Sequence, residues 1–340
     1  MSGVSYGVAA GLAVFLLAPS WTPQSSGVTV RLRGVSAVSD RVAWASGEGN
    51  TILRTEDGGT TWKKLANPTA VAAERLDFRD VDAVSATTAY VLSIGAGTLS
   101  RIYKTTDAGL TWTMQFANAD ADAFFDAMAF WDAERGLAFS DSVDGKFVIL
   151  STGDGGRTWS RVPQNALPAA VAGEGAFAAS GTNVAMFGKS DVWIGTTAGR
   201  VLHSVDAGRN WSVAPAGVAT GDATGIFSIA FRDARHGIVV GGNYRQEAEA
   251  VDNAAATSDG GKTWTPIKGL SGFRSVVAYL PRAATVSLVA VGPSGADFSA
   301  DDGRTWTPIP GDGFHAFSAA PGGSLGWAVG EGGRISQLRW

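Results

Sequence analysis

The chain has 340 residues, of which 45% are hydrophobic and only 17% charged, so its composition excludes a disordered protein and allows a large buried core. The net charge is −4 without a block of like charges, which excludes the electrostatic footprint of a nucleic-acid-binding protein. Cysteine is absent, which excludes disulfides, thiolate metal sites, thiol nucleophiles and an acylated cysteine anchor.

The N-terminal segment, residues 1–24, carries no charged side chain, and residues 8–18 are almost wholly apolar. A run of about eleven residues is too short to span a bilayer, which takes roughly 20. It suits the hydrophobic part of a signal peptide, with Pro19 and Pro23 ending any helix. We expect residues 1–24 to be a signal peptide of a periplasmic or secreted protein, without a stable membrane span after processing. The alternative is an uncleaved tail.

Short strands separated by glycine-rich turns are predicted from residue 28 onward. Residues 28–33 and 34–38 form two short extended runs rich in valine, and residues 42–47 and 51–54 are predicted strands joined by a turn at 48–50. A further strand begins at residues 62–65. Strands of this length joined in order are typical of an antiparallel meander.

A repeated phrase, Thr/Ser-x-Asp-x-Gly-x-Thr-Trp, follows the middle strands of six units, and we call each copy a box. The fourth box has Asn210 in place of Thr, and the units recur about every 47 residues. A seventh unit around Trp327 matches the first unit around Trp44 but lacks a box. The sequence therefore predicts an all-β, seven-bladed β-propeller of four-stranded antiparallel blades over residues 25–340. An N-terminal strand at residues 28–33 would close the last blade.

The boxes are predicted to stabilise the hairpin between the third and outer strand of each blade. The Asp carboxylate accepts backbone N–H groups, the Gly supplies a positive φ, and the Trp packs a large ring between neighbours. The predicted structural residues are Asp57, Asp107, Asp154, Asp206, Asp259, Asp301, Trp62, Trp112, Trp159, Trp211, Trp264 and Trp306.

These boxes resemble the Asp-box, or bacterial neuraminidase repeat, found in sialidases, sortilin-type receptors and many secreted propellers. The fuller unit, Gly-Trp-Ala-Val-Gly-x-x-Gly-x-Ile with a following box, is similar to the photosystem II assembly and stability factor type of seven-bladed propeller. Uncharacterised relatives of that type are often labelled oxidoreductase or glycosyl hydrolase. The resemblance covers residues 25–340 and implies a fold more firmly than an activity.

A candidate site is predicted at the channel mouth, on the face opposite the boxes, where the first strands begin. A Phe or Leu recurs there in every blade, and the residue after it varies around the ring in the order Arg33, Arg79, Asp126, Ala178, Ser228, Arg274 and His315. Second strands end on the same face at Glu48, Asp141, Asn243 and Glu331. The insertion at residues 243–256 lengthens this face and is either a lid or binding loop, or an ordinary variable loop.

The sector containing Arg274, His315, Arg33 and Arg79 suits a carboxylate, a phosphate or an acidic peptide. The alternative is a set of structural ion pairs, with Arg33 on Glu48 and His315 on Glu331. The three histidines lie in different units, which disfavours a metal site. The Gly-rich segments join strands and do not open a helix, so no nucleotide cofactor is predicted.

We interpret the chain as a monomeric, non-catalytic binding or assembly module that recognises a protein or anionic partner at the mouth. By resemblance, it would have a chaperone-like task in a membrane-protein or periplasmic assembly. The alternative is a glycoside-cleaving enzyme, either a sialidase-like hydrolase or a lyase. It would use Arg79, Asp126 and His315 together with the acidic residues at the ends of the second strands. Against a sialidase, none of the five tyrosines lies where a first strand begins.

Overall fold

The computed structural model describes residues 19–69 and 73–340 and contains seven four-stranded antiparallel sheets, or blades. The first strand of each blade contacts the first strand of the next, and the seventh contacts the first. This closed ring confirms the seven-bladed β-propeller. The helical elements among the described residues are three short 3-10 turns, and no helix there is long and apolar enough to cross a bilayer.

The strands are numbered β1 to β28 in chain order, beginning with β1 (Ser20–Gln24). Blade 1 contains β2 (Leu32–Ala37), β3 (Ala43–Gly47), β4 (Thr51–Thr55) and β5 (Lys63–Lys64). Blade 2 contains β6 (Phe78–Ala83), β7 (Ala89–Ser93), β8 (Arg101–Thr105) and β9 (Thr113–Ala117). Blade 3 contains β10 (Phe125–Phe130), β11 (Gly136–Val143), β12 (Lys146–Thr152) and β13 (Ser160–Arg161). Blade 4 contains β14 (Val184–Phe187), β15 (Asp191–Gly195), β16 (Arg200–Ser204) and β17 (Ser212–Pro215).

Blade 5 contains β18 (Thr224–Phe231), β19 (Gly237–Asn243), β20 (Ala254–Thr257) and β21 (Thr265–Pro266). Blade 6 contains β22 (Val276–Tyr279), β23 (Leu288–Gly292), β24 (Gly295–Ser299) and β25 (Thr307–Ile309). Blade 7 contains β26 (Ala316–Ala319), β27 (Leu325–Val329), β28 (Ile335–Arg339) and, at its outer edge, β1.

The strand that completes blade 7 is β1, which pairs antiparallel with β28. The prediction that residues 28–33 would do so was wrong, because β2 already begins at Leu32 as the first strand of blade 1. Trp21 of β1 packs against Phe314 at 4.7 Å, and Gln24 accepts hydrogen bonds from the indoles of Trp62 and Trp327. The propeller therefore begins before the predicted boundary at residue 24. The signal peptide expected at residues 1–24 stays a prediction: residues 1–18 lie outside the described residues, and residues 20–24 form β1.

The boxes are closed by hydrogen bonds within each turn. In the first, Asp57 Oδ1 accepts from the Thr61 N–H at 2.9 Å and Oδ2 accepts from the Thr61 hydroxyl at 2.7 Å. The Gly59 N–H donates to Thr55 Oγ1 at 2.8 Å. Hydrogen bonds from Thr61 hold the pKa of Asp57 at about 2, and the boxes at Asp107, Asp154, Asp206 and Asp259 behave alike. Because these carboxylates are satisfied inside their own turns, they are not free for a ligand.

The box tryptophans pack across the boundaries between blades. Trp62 of blade 1 meets Trp327 of blade 7 edge-on at 6.5 Å, and Trp112 of blade 2 meets Trp44 of blade 1 at 6.3 Å. Trp306 is only 9% exposed and its indole N–H donates to the Gly303 carbonyl at 3.0 Å. These rings thus join neighbouring sheets, in addition to ending each hairpin.

Replacing Trp306 by alanine is expected to lower the free energy of unfolding by about 3–5 kcal/mol, because a buried indole leaves a cavity that the sheets cannot fill. Urea denaturation followed by fluorescence measures the loss. Leu110→Ala is the matched control, because Leu110 also lies in a box but is 75% exposed. A Trp306→Ala variant as stable as this control would contradict the packing role.

Polar side chains of the first strands connect neighbouring blades near the channel. Ser36 Oγ accepts the Ala83 N–H at 3.1 Å, and Ser228 Oγ accepts the Val277 N–H at 3.0 Å. Between blades 2 and 3 the acceptor is Asp80 Oδ2, 2.7 Å from the Met128 nitrogen. Burial raises the pKa of Asp80 to about 8, so this carboxyl group is mostly protonated at neutral pH.

Candidate functional site

The channel mouth encloses a cavity of about 380 Å³. Arg33 in β2, Arg79 in β6 and Phe227 in β18 line it, and each is the extra residue of a β-bulge near the start of its strand. Ser275 and His315 take the same place just before β22 and β26. A bulge redirects one side chain out of the regular alternation, and in blades 1, 2 and 5 it directs that side chain towards the channel.

Two positions of the predicted ring differ from the structure. In blade 5 Phe227 lines the cavity in place of the predicted Ser228, and in blade 6 Phe273 and Ser275 line it in place of the predicted Arg274. A shift of one residue along a strand reverses which face a side chain occupies. The recurring Phe does not reveal the bulge at Phe227 in blade 5, and in blade 6 the flanking residues Phe273 and Ser275 face the cavity although β22 pairs with β23 in a regular register.

Blade 4 contributes a segment that spans the channel in place of a regular first-strand start, and we call residues 174–183 the plug. The Ala178 carbonyl accepts from Arg79 Nη1, and the Ala179 carbonyl from Arg33 Nε, both at 3.1 Å. Ser180 donates to the Ser275 carbonyl at 3.1 Å. The plug thereby reaches blades 1, 2 and 6, and its residues 177–179 line the cavity.

Arginines form the wall of the cavity at blades 1 and 2. Arg79 pairs with Asp77 at 2.8 Å, and Arg31, which sequence reasoning missed, pairs with Glu331 at 2.7 Å and Glu48 at 3.6 Å. Arg33 differs, because no carboxylate of the described residues lies within 4.0 Å of it, and its only hydrogen bond there is from Nε to the plug. Burial and the nearby Arg79 lower the pKa of Arg33 to about 10, so it stays charged at neutral pH.

His315 contributes a hydrogen bond to this wall but no positive charge at neutral pH. Its Nε2 lies 2.9 Å from Glu331 Oε1, as one of the predicted structural pairs anticipated. Burial, reinforced by Arg33, lowers the pKa of His315 to about 4. The other predicted pair, Arg33 with Glu48, does not form, because Glu48 lies against Arg31. The positive charge of the wall therefore comes from arginine alone.

An aromatic wall faces the arginines from blades 4, 5 and 6. Phe177 of the plug stacks on Phe227 with ring centroids 3.8 Å apart, and Phe273 meets Phe227 edge-on at 4.6 Å. Tyr244, in the insertion between β19 and β20, lies 6.1 Å from both Phe177 and Phe227 and is 40% exposed. Glu247 of the same insertion also lines the cavity, with its carbonyl accepting the Phe273 N–H at 2.8 Å.

Several predicted mouth residues do not reach the cavity. Arg274 is 2% exposed and its guanidinium pairs with the buried Asp297 at 2.7 Å. Asp126 is buried beside Asp141, and burial together with that neighbour raises the pKa of Asp126 well above its usual range. Asn243 contacts Gln246 in its own loop. Among the described residues there is no cluster of three or more His, Asp or Glu side chains that could hold a metal ion.

Comparison with known proteins gives the fold and leaves the activity open. No family model matches the chain, and no curated protein matches it in sequence. A solved structure of YCF48 bound to D1 peptide is 15% identical, with a TM-score of 0.63, covering 94% of this chain and 96% of that one. YCF48 from Cyanidioschyzon merolae is 16% identical, with a TM-score of 0.67, covering 94% and 99%.

An ancestral GH74 enzyme is 15% identical with a TM-score of 0.66. The match covers 93% of this chain but only 46% of that enzyme. At such identities the likeness concerns the propeller fold, which carries both binding proteins and enzymes.

Proposed function

We propose that the protein is a binding or assembly module whose mouth cavity takes an anionic segment of a protein partner. A carboxylate of the partner would bind Arg33, and a neighbouring apolar side chain would pack on the aromatic wall. The export predicted from the N-terminal segment would place this task in the periplasm or outside the cell. The protein would act there as a monomeric propeller of the Asp-box type.

The proposal depends on one observation, which is that Arg33 is largely buried and has no acidic partner among the described residues. A guanidinium that is largely removed from water loses hydration, and buried charges are normally compensated by an opposite charge. Arg33 has both Nη groups unbonded within the described part of the chain and lines an open cavity. A carboxylate fits this fork with two parallel hydrogen bonds, as Arg–carboxylate pairs commonly do. The peptide bound by YCF48 is an independent example of peptide binding on this fold.

The positions of the acidic side chains around the cavity favour a binding function over glycoside cleavage. Most glycosidases place two carboxyl groups on either side of the scissile bond, about 5–10 Å apart. The cavity is lined by one acidic residue, Glu247, whereas Asp126 lies buried with Asp141 away from it. Of the acids proposed for the enzymatic alternative, Asp126 and Asp141 therefore do not line the cavity, and Glu48 and Glu331 are paired with Arg31.

Selection from a random peptide library displayed on phage tests the proposal, with counter-selection against an Arg33→Gln variant. Enriched peptides are expected to share an Asp, a Glu or a free C-terminal carboxylate next to an aromatic or aliphatic residue. Arg33→Gln should weaken their binding by about tenfold, because a hydrogen bond to a charged group is worth about 1.5–3 kcal/mol. Fluorescence anisotropy of the synthesised peptides measures the affinity.

The matched control is Arg304→Gln, which removes the same charge from an exposed position in the blade 6 box, on the opposite face. Thermal melting must show that both variants remain folded, because Arg33 also holds the plug. Enrichment of peptides without an acidic group, or equal binding by wild type and Arg33→Gln, would overturn the proposed function.

A further inference from the structure

An acidic surface lies beside the cationic mouth, on the loops that surround blades 4 and 5. We call Asp222, before β18, and Glu247 and Glu249, between β19 and β20, the acidic rim. None of the three has a Lys or Arg partner within 4.0 Å in the described ranges, whereas Arg31 and Arg79 at the mouth are both paired with acids. The nearest basic residue in sequence, Arg245, lies over the Tyr244 ring at 5.5 Å. The rim thus carries uncompensated negative charge.

Two smaller cavities are lined in part by residues of the acidic rim. A cavity of about 290 Å³ is lined by Asp222 and shares Phe177 with the mouth cavity. A third, of about 260 Å³, is lined by Glu249 and shares Thr220 with the second. Because neighbouring cavities share a lining residue, they follow one another from the mouth towards the loops around β18 and β19, and we call this row of cavities the groove.

The charge along this groove changes sign. Three arginines and one acid, Glu247, line the mouth cavity, whereas the charged residues lining the next two cavities, Glu174, Asp222 and Glu249, are all acidic; Phe177 lines both the mouth cavity and the second cavity. A uniformly acidic segment would be attracted at the mouth and repelled at the rim, whereas a segment with both charges in the right order is attracted at both. Such an arrangement selects one class of partner and rejects another.

We infer that the segment recognised by this protein is bipolar, with an acidic anchor in the mouth cavity and basic side chains a few residues away over the acidic rim. This inference rests on the proposed function and specifies its partner. The loop between β19 and β20, residues 244–253, is then a specificity element: Tyr244 supplies apolar contact to the anchor, and Glu247 and Glu249 attract the basic arm.

The test uses fluorescein-labelled peptides that share the anchor Asp-Phe. The first peptide carries the arm Lys-Gly-Lys on the N-terminal side of the anchor, and the second carries the same arm on the C-terminal side. The third and fourth peptides are their analogues, in which the arm is Gln-Gly-Gln. Affinities are measured by anisotropy at low salt with wild type, with Arg33→Gln, with Glu247→Gln/Glu249→Gln, and with the control Glu56→Gln/Glu134→Gln. The control removes two glutamates from the opposite face.

One lysine peptide is expected to bind wild type about tenfold more tightly than its glutamine analogue, since two exposed ion pairs are each worth up to about 1 kcal/mol. The rim variant should lose this advantage, and the control should keep it. Equal affinity of the lysine and glutamine peptides for wild type, or an advantage of the lysine peptide that survives in the rim variant, overturns the inference. In either case the proposed function still stands if binding of the peptides depends on Arg33. Absence of Arg33-dependent binding by all four peptides overturns both.

Discussion

Reversing the charge of Arg274 will destabilise the fold by at least about 3–5 kcal/mol, the usual loss when one member of a buried ion pair is removed. Asp297 is fully buried and its Oδ2 accepts from Arg274 Nε at 2.7 Å, so Arg274→Glu places two carboxylates in the same enclosed space. The loss is measured as a fall in melting temperature and in the urea midpoint. The protein is expected to be largely unfolded at physiological temperature.

The exchange Arg274→Glu/Asp297→Arg restores opposite charges and should recover part of the lost stability. Arg41→Glu is the surface control, because Arg41 is exposed in the turn between β2 and β3. If Arg274→Glu melts like Arg41→Glu, the buried pair has no structural role. This experiment separates Arg274 from Arg33 and Arg79, with which the sequence pattern had grouped it.

Asp80→Asn will make the protein more stable at alkaline pH and flatten its pH profile. The pKa of Asp80 is about 8 in the fold because of burial and is near its ordinary value of about 3.9 when unfolded. Between these values the unfolded state loses the proton while the folded state keeps it, so stability falls by up to about 1.4 kcal/mol per pH unit. Asparagine keeps an oxygen acceptor for the Met128 N–H without the charge.

Urea denaturation at about pH 5, 7 and 9 measures this effect. Wild type should lose stability as the pH rises through this range, and Asp80→Asn should lose much less. Asp144→Asn is the control, since Asp144 lies exposed in a hairpin turn where its φ of 51° is one that asparagine tolerates. Parallel profiles for wild type and Asp80→Asn would contradict the burial of a neutral Asp80.

The box carboxylates make the stability of the fold depend on pH in the opposite direction to Asp80. Their pKa of about 2 means that they stabilise the fold above the ordinary pKa of aspartate, and this contribution disappears as the pH falls towards 2. The two classes of aspartate together predict maximal stability near the ordinary pKa of aspartate, about 4, because the box contribution is complete above this pH and the loss from Asp80 begins there.

The repeat made the blade count predictable, because each box fixes one hairpin and the spacing between Trp44 and Trp327 fixes the number of units. Closure could not be predicted as easily, since β1 lies in a segment whose composition suits a signal peptide. Its place is fixed by contacts of Trp21 and Gln24 with residues about 300 positions away in sequence. Such long-range packing leaves no local sequence signal.

The mouth was predictable at Arg33 and Arg79, where the bulge coincides with the repeat, and at His315. It was not predictable at Phe227, because one inserted residue changes the face without changing the composition, nor at Ser275, which lies one position after the aligned Arg274. The plug has no counterpart in the other blades, so aligning Ala178 with strand starts concealed its role. Arg31 was detectable in principle, since it lies two residues before Arg33 and residues two apart share a face in extended chain.

A crystal structure of the protein with a peptide selected at the mouth tests the central proposal most directly. We predict a carboxylate of the peptide within hydrogen-bond distance of both Nη atoms of Arg33, and an apolar side chain against Phe177 and Phe227. A peptide bound on the face of the boxes, or one whose carboxylate makes no contact with Arg33, would contradict it.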